Sequence, residues 1–189
     1  MLDATALTGV LWIIFFSYWL IAARNTKKTV YRQKLQGRVF IAIRLAVCFA
    51  LVYLPALSAG WLGVSYIPRT MPSEFIGNIV CISGFFFAIW SRRALGTNWS
   101  GEITLKENHQ LIQTGPYRLV RHPIYTGLIL AWLGTAITLG EVRGLVALVI
   151  AFLGLWSKLK EEETLLLRQF PEEYPEYQEQ VKALIPFVL

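Results

Sequence analysis

The chain has 189 residues, of which 55% are hydrophobic and only 16% charged, and its mean hydropathy is +0.49. A soluble domain of this size carries charge on about a quarter of its residues and shows amphipathic segments rather than uniformly apolar ones, so a soluble fold is excluded. The net charge of +6 does not point to nucleic acid, because the cations flank apolar runs, as membrane topology demands.

In chain order, the first apolar run covers Ala4 to Ala23, close to the roughly 20 residues that cross a bilayer. The Met1-Leu2-Asp3 start lacks the basic region of a cleavable signal, so this span is expected to be retained. A basic loop with Arg24, Lys27, Lys28, Arg32, Lys34 and Arg38 leads to a second span, about Val39 to Ser58, which contains Arg44. Arg44 has two readings: a side chain that snorkels to the interface, or a contact for a substrate headgroup. A Gly/Pro-containing loop, 59–73, precedes a third span from Glu74 to Ser91, closed by Arg92 and Arg93.

Residues 93–122 form a polar segment without a span. Two short apolar runs follow, Ile124–Leu139 and Arg143–Trp156, joined by Gly140-Glu141. Each barely covers a hydrocarbon core of about 30 Å, which predicts a short or tilted hairpin. A charged helix from Lys158 to Phe170 then ends at Pro171, and a second short helix carries Tyr174 and Tyr177. Cys48 and Cys81 fall inside apolar runs and read as small buried hydrophobes. With only His109 and His122 beside them, no metal site is expected. The fold class is therefore all-α: a polytopic membrane protein with five transmembrane helices.

Basic residues orient it. Six lie in the 24–38 loop, five in 92–122 and four from Lys158 onward, against Arg69 and Arg143 on the other side. The N-terminus is expected outside, with both polar segments and the C-terminal helical segment in the cytosol.

Two segments can carry chemistry. The first is Gly115-Pro-Tyr-Arg-Leu-Val-Arg-His-Pro-Ile-Tyr-Thr-Gly127. Pro123 keeps His122 out of helical backbone, so a helix starts at or after Pro123. Its first turn offers free N–H groups and a positive dipole end, beside Arg121, as an anion site. The bland alternative is a capping histidine within an interfacial tyrosine belt at Tyr117 and Tyr125. The second segment is Lys158-Leu-Lys-Glu-Glu-Glu163. Lys158 and Glu162 stand one turn apart and share a face, whereas Glu163 is turned by about 100°. Glu161 reads as solvating the helix.

Together, Leu95-Gly-Thr-Asn-Trp-Ser100, His109-Gln-Leu-Ile112, the 115–127 element and Glu162-Glu163…Phe170-Pro-Glu-Glu-Tyr174-Pro-Glu-Tyr177 resemble the isoprenylcysteine carboxyl methyltransferase family of integral membrane methyltransferases. The resemblance covers about half the chain. It implies one membrane domain, 1–189, with three acceptor-side spans in 1–92 and a cofactor-binding core in 93–189. It also implies S-adenosylmethionine, leaving as S-adenosylhomocysteine, held by Leu111, Tyr117, His122, Tyr125, Glu162 and Glu163 at the cytosolic face. Arg121, His122 and Lys158 would stand nearest the chemistry. Lys158 replaces the family's common arginine and lacks its bidentate fork, which Arg121 could supply.

The implied function is methyl transfer to a lipidated or lipid-like acceptor, foremost the carboxylate of an isoprenylcysteine. An amine-directed phospholipid N-methyltransferase and, in another class, a non-enzymatic membrane scaffold or transport subunit are the alternatives. Membrane lipids are the expected partners and no nucleic acid or metal is. The expected location is an integral membrane protein, in the plasma or inner membrane if prokaryotic.

Overall fold

The computed structural model describes residues 4–24, 29–32, 35–99, 104–106 and 111–188, with the backbone alone at 29–32, 35–36 and 104–106. Lys27, Lys28, Lys34, Ser100, His109 and Gln110, named above from sequence, lie outside the described residues.

The described residues form six α-helices: α1 (Ala4–Ala22), α2 (Leu35–Tyr53), α3 (Met71–Leu95), α4 (Pro123–Leu139), α5 (Val142–Gln169) and α6 (Glu173–Gln180). Among the described residues, three helical stretches are long and apolar enough to cross a membrane: Ala4–Ala22, Met71–Asn98 and Val142–Gln169. α4 is a shorter apolar helix, and α2 carries Arg38 and Arg44 within its 19 residues. The five expected spans correspond in position to α1–α5. An addition to the all-helical reading is a small antiparallel ribbon, β1 (Thr29–Arg32) with β2 (Thr104–Lys106).

Boundaries differ from expectation for local reasons. α2 stops at Tyr53 rather than Ser58, because Pro55 forces Leu54 into extended backbone (φ −89°, ψ 111°). α3 starts earlier than Glu74, since Thr70 and Ser73 cap each other's backbone reciprocally. The expected hairpin limb ending at Trp156 and the separate charged helix from Lys158 are one continuous helix, α5. Its Lys, Leu and Glu residues are strong helix formers and nothing between them breaks the run.

α3 and α4 lie backbone to backbone. Along α3, Gly77, Cys81, Gly84 and Ala88 face Gly127, Ala131, Gly134 and Thr138 of α4. A Cβ at Gly84 would stand 2.5 Å from both the Ala131 nitrogen and the Gly127 oxygen, and one at Gly134 would stand 2.3 Å from the Cys81 nitrogen. Small residues permit this approach, which is how helices associate where lipid removes the hydrophobic drive. α1 docks on the pair through Trp12, whose indole N–H donates to Thr135 Oγ1 at 3.0 Å. The Trp12 ring meets Phe85 and Trp132, each with ring centroids 4.8 Å away. Cys48 and Cys81 are buried free thiols, as expected.

At the far end of the α4–α5 hairpin, Gly140 turns left-handed (φ 68°). Arg143, counted on the outer side at the start of the fifth apolar run, is buried. It donates to the Leu51 and Leu54 carbonyls at 3.1 Å and pairs with Glu141 at 2.6 Å, closing the C-terminal end of α2. At the other end, buried Arg92 donates to Ala22 O and Gly96 O and lies 4.2 Å over the Trp99 ring. It ties the end of α1 to the end of α3.

Candidate functional site

Helix lengths decide where the two polar segments meet. α4 has 17 residues, so it rises about 26 Å from Leu139 back to Pro123. The seventeenth residue of α5, counted from Val142, is Lys158. Lys158 to Glu163 therefore stand level with His122 and Tyr125, on a helix packed beside theirs.

The contacts are direct. The Tyr125 hydroxyl donates to Glu162 Oε1 at 2.5 Å. Lys158 Nζ lies 3.9 Å from the same oxygen and 5.5 Å from the Tyr125 ring centroid. The His122 ring stacks on Tyr125 (5.5 Å between centroids, 8° between planes). Its Nδ1 is 3.8 Å from Glu162 Oε2 and its Nε2 is 3.4 Å from Glu163 Oε1. His122 is buried and Nε2 lies outside hydrogen-bonding geometry with any partner.

These groups form the polar end of a cavity of about 320 Å³. Leu111, Tyr117, Arg121, His122, Tyr125, Lys158 and Glu162 all line it, and Glu163 does not. Trp12, Phe16, Trp132, Cys48 and Ile150 line the apolar part. Asn98 and Trp99, from the 95–100 motif, complete the wall. One chamber thus joins a charged rim to an oily interior.

Glu163 sits behind the rim. Arg121 donates from Nε (3.0 Å) and Nη2 (2.6 Å) to Glu163 Oε1. The Tyr174 hydroxyl donates to the same oxygen at 3.3 Å. Arg121 Nη1 reaches the carbonyls of Gln178 and Val181. The reading of Arg121 as a free positive charge is therefore corrected: although it lines the cavity, four of its N–H donors are engaged by Glu163, Gln178 and Val181. The pair is almost sealed, with side-chain exposures of 10% and 8%, so it braces α4, α5 and the tail together.

The helix-start anion site is corrected for a related reason. The N–H groups of Arg121 and His122 donate to Lys182 O (2.8 Å) and Ala183 O (3.0 Å), and those of Tyr125 and Thr126 turn back to His122 O. Thr126 Oγ1 donates to Leu184 O at 2.7 Å. Lys182–Leu184 thus runs along the start of α4 and takes up the N–H groups of Arg121 and His122 and the Thr126 hydroxyl. This tail clasp had no sequence signal beyond the apolar Ala183-Leu184-Ile185.

α6 adds a second clasp. The Tyr177 hydroxyl donates to the Tyr117 carbonyl at 2.5 Å. Burial, the largest cause, pushes the hydroxyls of Tyr117, Tyr174 and Tyr177 above the ordinary tyrosine range, with carboxylate charge adding to the rise at Tyr117 (Glu162) and Tyr174 (Glu163). They remain neutral donors near neutral pH.

Known proteins match this architecture. The phospholipid methyltransferase family model matches residues 73–173, which span α3 to the start of α6. A probable protein-S-isoprenylcysteine O-methyltransferase from Oryza sativa subsp. indica is 37% identical over 118 residues, covering 61% of this chain and 62% of the relative. The protein-S-isoprenylcysteine O-methyltransferase of Saccharomyces cerevisiae is 29% identical over 127 residues, covering 66% of this chain and 53% of that protein. The chain thus spans less than two thirds of the length of these relatives. A solved eukaryotic intramembrane Ras methyltransferase, isoprenylcysteine carboxyl methyltransferase, superposes with a TM-score of 0.57 at 25% identity, covering 84% of this chain and 55% of that one. The resemblance carried by the 95–127 and 162–177 motifs is borne out, and with just over half of its residues matched by the model the chain belongs to the phospholipid methyltransferase family.

Proposed function

We propose that the protein transfers a methyl group from S-adenosylmethionine to a lipid-like acceptor at the cytosolic membrane interface, foremost to the carboxylate of an isoprenylcysteine-type substrate. The observation that carries this reading is the single chamber joining the His122–Tyr125–Glu162 rim to an apolar interior. Such a space suits a polar donor and a greasy acceptor at once.

The residues present fit that cofactor. Glu162 is a carboxylate, 24% exposed at its side chain, suited to an ammonium or ribose hydroxyls. His122 Nε2 lies 3.4 Å from Glu163 Oε1, behind the rim, so what the ring offers the chamber is its stack with Tyr125. Tyr117 adds an aromatic ring to the lining, and aromatic faces attract cationic groups. When bound, the sulfonium supplies an electrophilic methyl group. The residues of this chain then position and exclude water, since in-line displacement gains most from those two effects. A carboxylate acceptor needs no base. An amine acceptor would lose a proton, and His122, which lines the chamber, is placed to take it.

Lys158 holds Glu162 from one turn away, and Arg121 with Glu163 fixes the walls. The basic loops support a cytosolic rim and an outward N-terminus. The family model's own description keeps an amine acceptor as the second reading. Purified protein in detergent is expected to bind S-adenosylmethionine by calorimetry and to label an S-farnesylated N-acetylcysteine with a base-labile methyl ester. A base-stable methylamine on added phospholipid instead would select the amine reading. No cofactor binding at all would end both.

A further inference from the structure

Arg44 is a cation whose place in the fold asks for something that no described residue provides. It lies nine residues beyond the start of α2, about 13 Å along the helix axis. Apolar neighbours Ile41, Leu45 and Cys48 share its part of the cavity wall. A charge at such a level is costly unless it is paired or functional. The other arginines near the bundle ends are satisfied: Arg92 and Arg143 cap helix carbonyls, and Arg121 pairs with Glu163. Among the described residues, Arg44 makes no ion pair or hydrogen bond, its side chain is exposed, and it lines the chamber.

The facing helix is shaped around it. Gly154 of α5 stands opposite, and a Cβ there would lie 3.3 Å from Arg44 Cδ and 3.7 Å from Nη1. The missing side chain is a notch in which the arginine stem lies across α5. Gly154, Lys158 and Glu162 follow one another at four-residue steps along the cavity face of that helix. Lys158 is already engaged with Glu162 and the Tyr125 ring. The guanidinium therefore sits two turns deeper than the rim carboxylate, about 12 Å along the axis, at the wall between α2 and α5. Leu45, beside it, lines the same chamber and is 37% exposed.

We infer that Arg44 is the specificity residue that receives the anionic group of the acceptor as it enters between α2 and α5, which makes the acceptor an apolar-tailed carboxylate or phosphate. This rests on the methyl-transfer reading for the identity of the second ligand, not for the anion site itself. A guanidinium grips either anion through paired N–H donors, and the apolar tail is left to the interior walls at Trp12 and Trp132.

The test measures binding of three farnesyl-tailed probes to purified protein in detergent, with S-adenosylmethionine binding measured in parallel. The probes are an S-farnesylated N-acetylcysteine, its neutral carboxamide and farnesyl monophosphate. The native protein is expected to prefer the carboxylate over the carboxamide by about ten-fold or more, the scale of a charge-assisted contact. The phosphate arm separates a general anion site from a carboxylate-specific one. Arg44→Gln should erase the preference while leaving carboxamide and S-adenosylmethionine binding unchanged, and Arg44→Lys should restore part of it. Gly154→Val, which fills the notch, should erase it independently of any folding defect of the first variant. A preference that survives both substitutions, or an equal loss for the carboxamide, overturns the assignment. Failure of the native protein to bind S-adenosylmethionine would instead strike the methyl-transfer reading, with the anion preference still readable.

Discussion

Tyr125 on α4 donates its hydroxyl to Glu162 on α5 at 2.5 Å, across 37 positions of sequence. That bond sets the rotamer of the one carboxylate of the Glu162-Glu163 pair that faces the cavity. Glu162→Ala and His122→Ala are each expected to abolish S-adenosylmethionine binding with helical content unchanged, whereas Glu161→Ala changes little. Tyr125→Phe should weaken binding by about five- to ten-fold, the scale of one lost hydrogen bond. Calorimetric titration of the four variants checks this. Comparable losses at Glu161 would mean a diffuse charge effect rather than a site.

Arg121 and Glu163 support a different expectation, read in stability. Removing one member of a sealed ion pair strands the other's charge. Glu163→Leu should therefore cost about 3–5 kcal/mol, while replacing both by apolar residues of similar volume should recover much of it. Thermal unfolding in detergent of Glu163→Leu, Arg121→Met and the double variant carrying both measures the coupling. Additive losses in the double variant would contradict a paired brace.

The glycine seam makes the sharpest packing prediction. A methyl group at Gly84 meets backbone at 2.5 Å, and backbone cannot give way as a flexible side chain can. Gly84→Ala should cost about 1–3 kcal/mol or more through overpacking. Gly60, at φ 65° with nothing near its Cβ, should lose only the roughly 1–2 kcal/mol of left-handed strain on changing to Ala. A Gly84→Ala protein that melts at the native temperature would argue against close α3–α4 contact.

Much of this bundle was legible in the sequence, and its failures are physically specific. Apolar run length located α1, α3, α4 and α5, and Gly140-Glu141 marked the hairpin turn because a left-handed residue was needed there. The pairing of His122 with Glu162 followed from hairpin length alone. The α3–α4 seam was not legible, because Gly77, Gly84, Gly127 and Gly134 sit in apolar background where close packing and chance composition look alike. Arg121 misled for another reason. Its charge is visible in sequence, while the Glu163 carboxylate and the Gln178 and Val181 carbonyls that consume it are brought close only by the fold.

The tail clasp gives the last prediction. Arg121 and His122 donate backbone N–H groups to Lys182 and Ala183, and Thr126 donates its hydroxyl to Leu184. Leu184 is itself fully buried, among the neighbours of Tyr125 and Leu159. Deleting residues 182–189 strips three acceptors from the start of α4 and removes an apolar side chain worth about 1.5–3 kcal/mol of burial. None of the α1–α3 contacts through Trp12 or the glycine seam depends on that tail. The truncated protein should therefore keep its helical content while losing S-adenosylmethionine binding, and amides around 121–126 should exchange faster than those of the seam. Thr126→Val, which removes one bond and leaves the backbone pairing, should cost only about 0.5–1.5 kcal/mol. Hydrogen exchange read by mass spectrometry distinguishes the two. Uniform loss of protection across α3 and α4 would mean that the tail holds the whole bundle rather than the rim of the site.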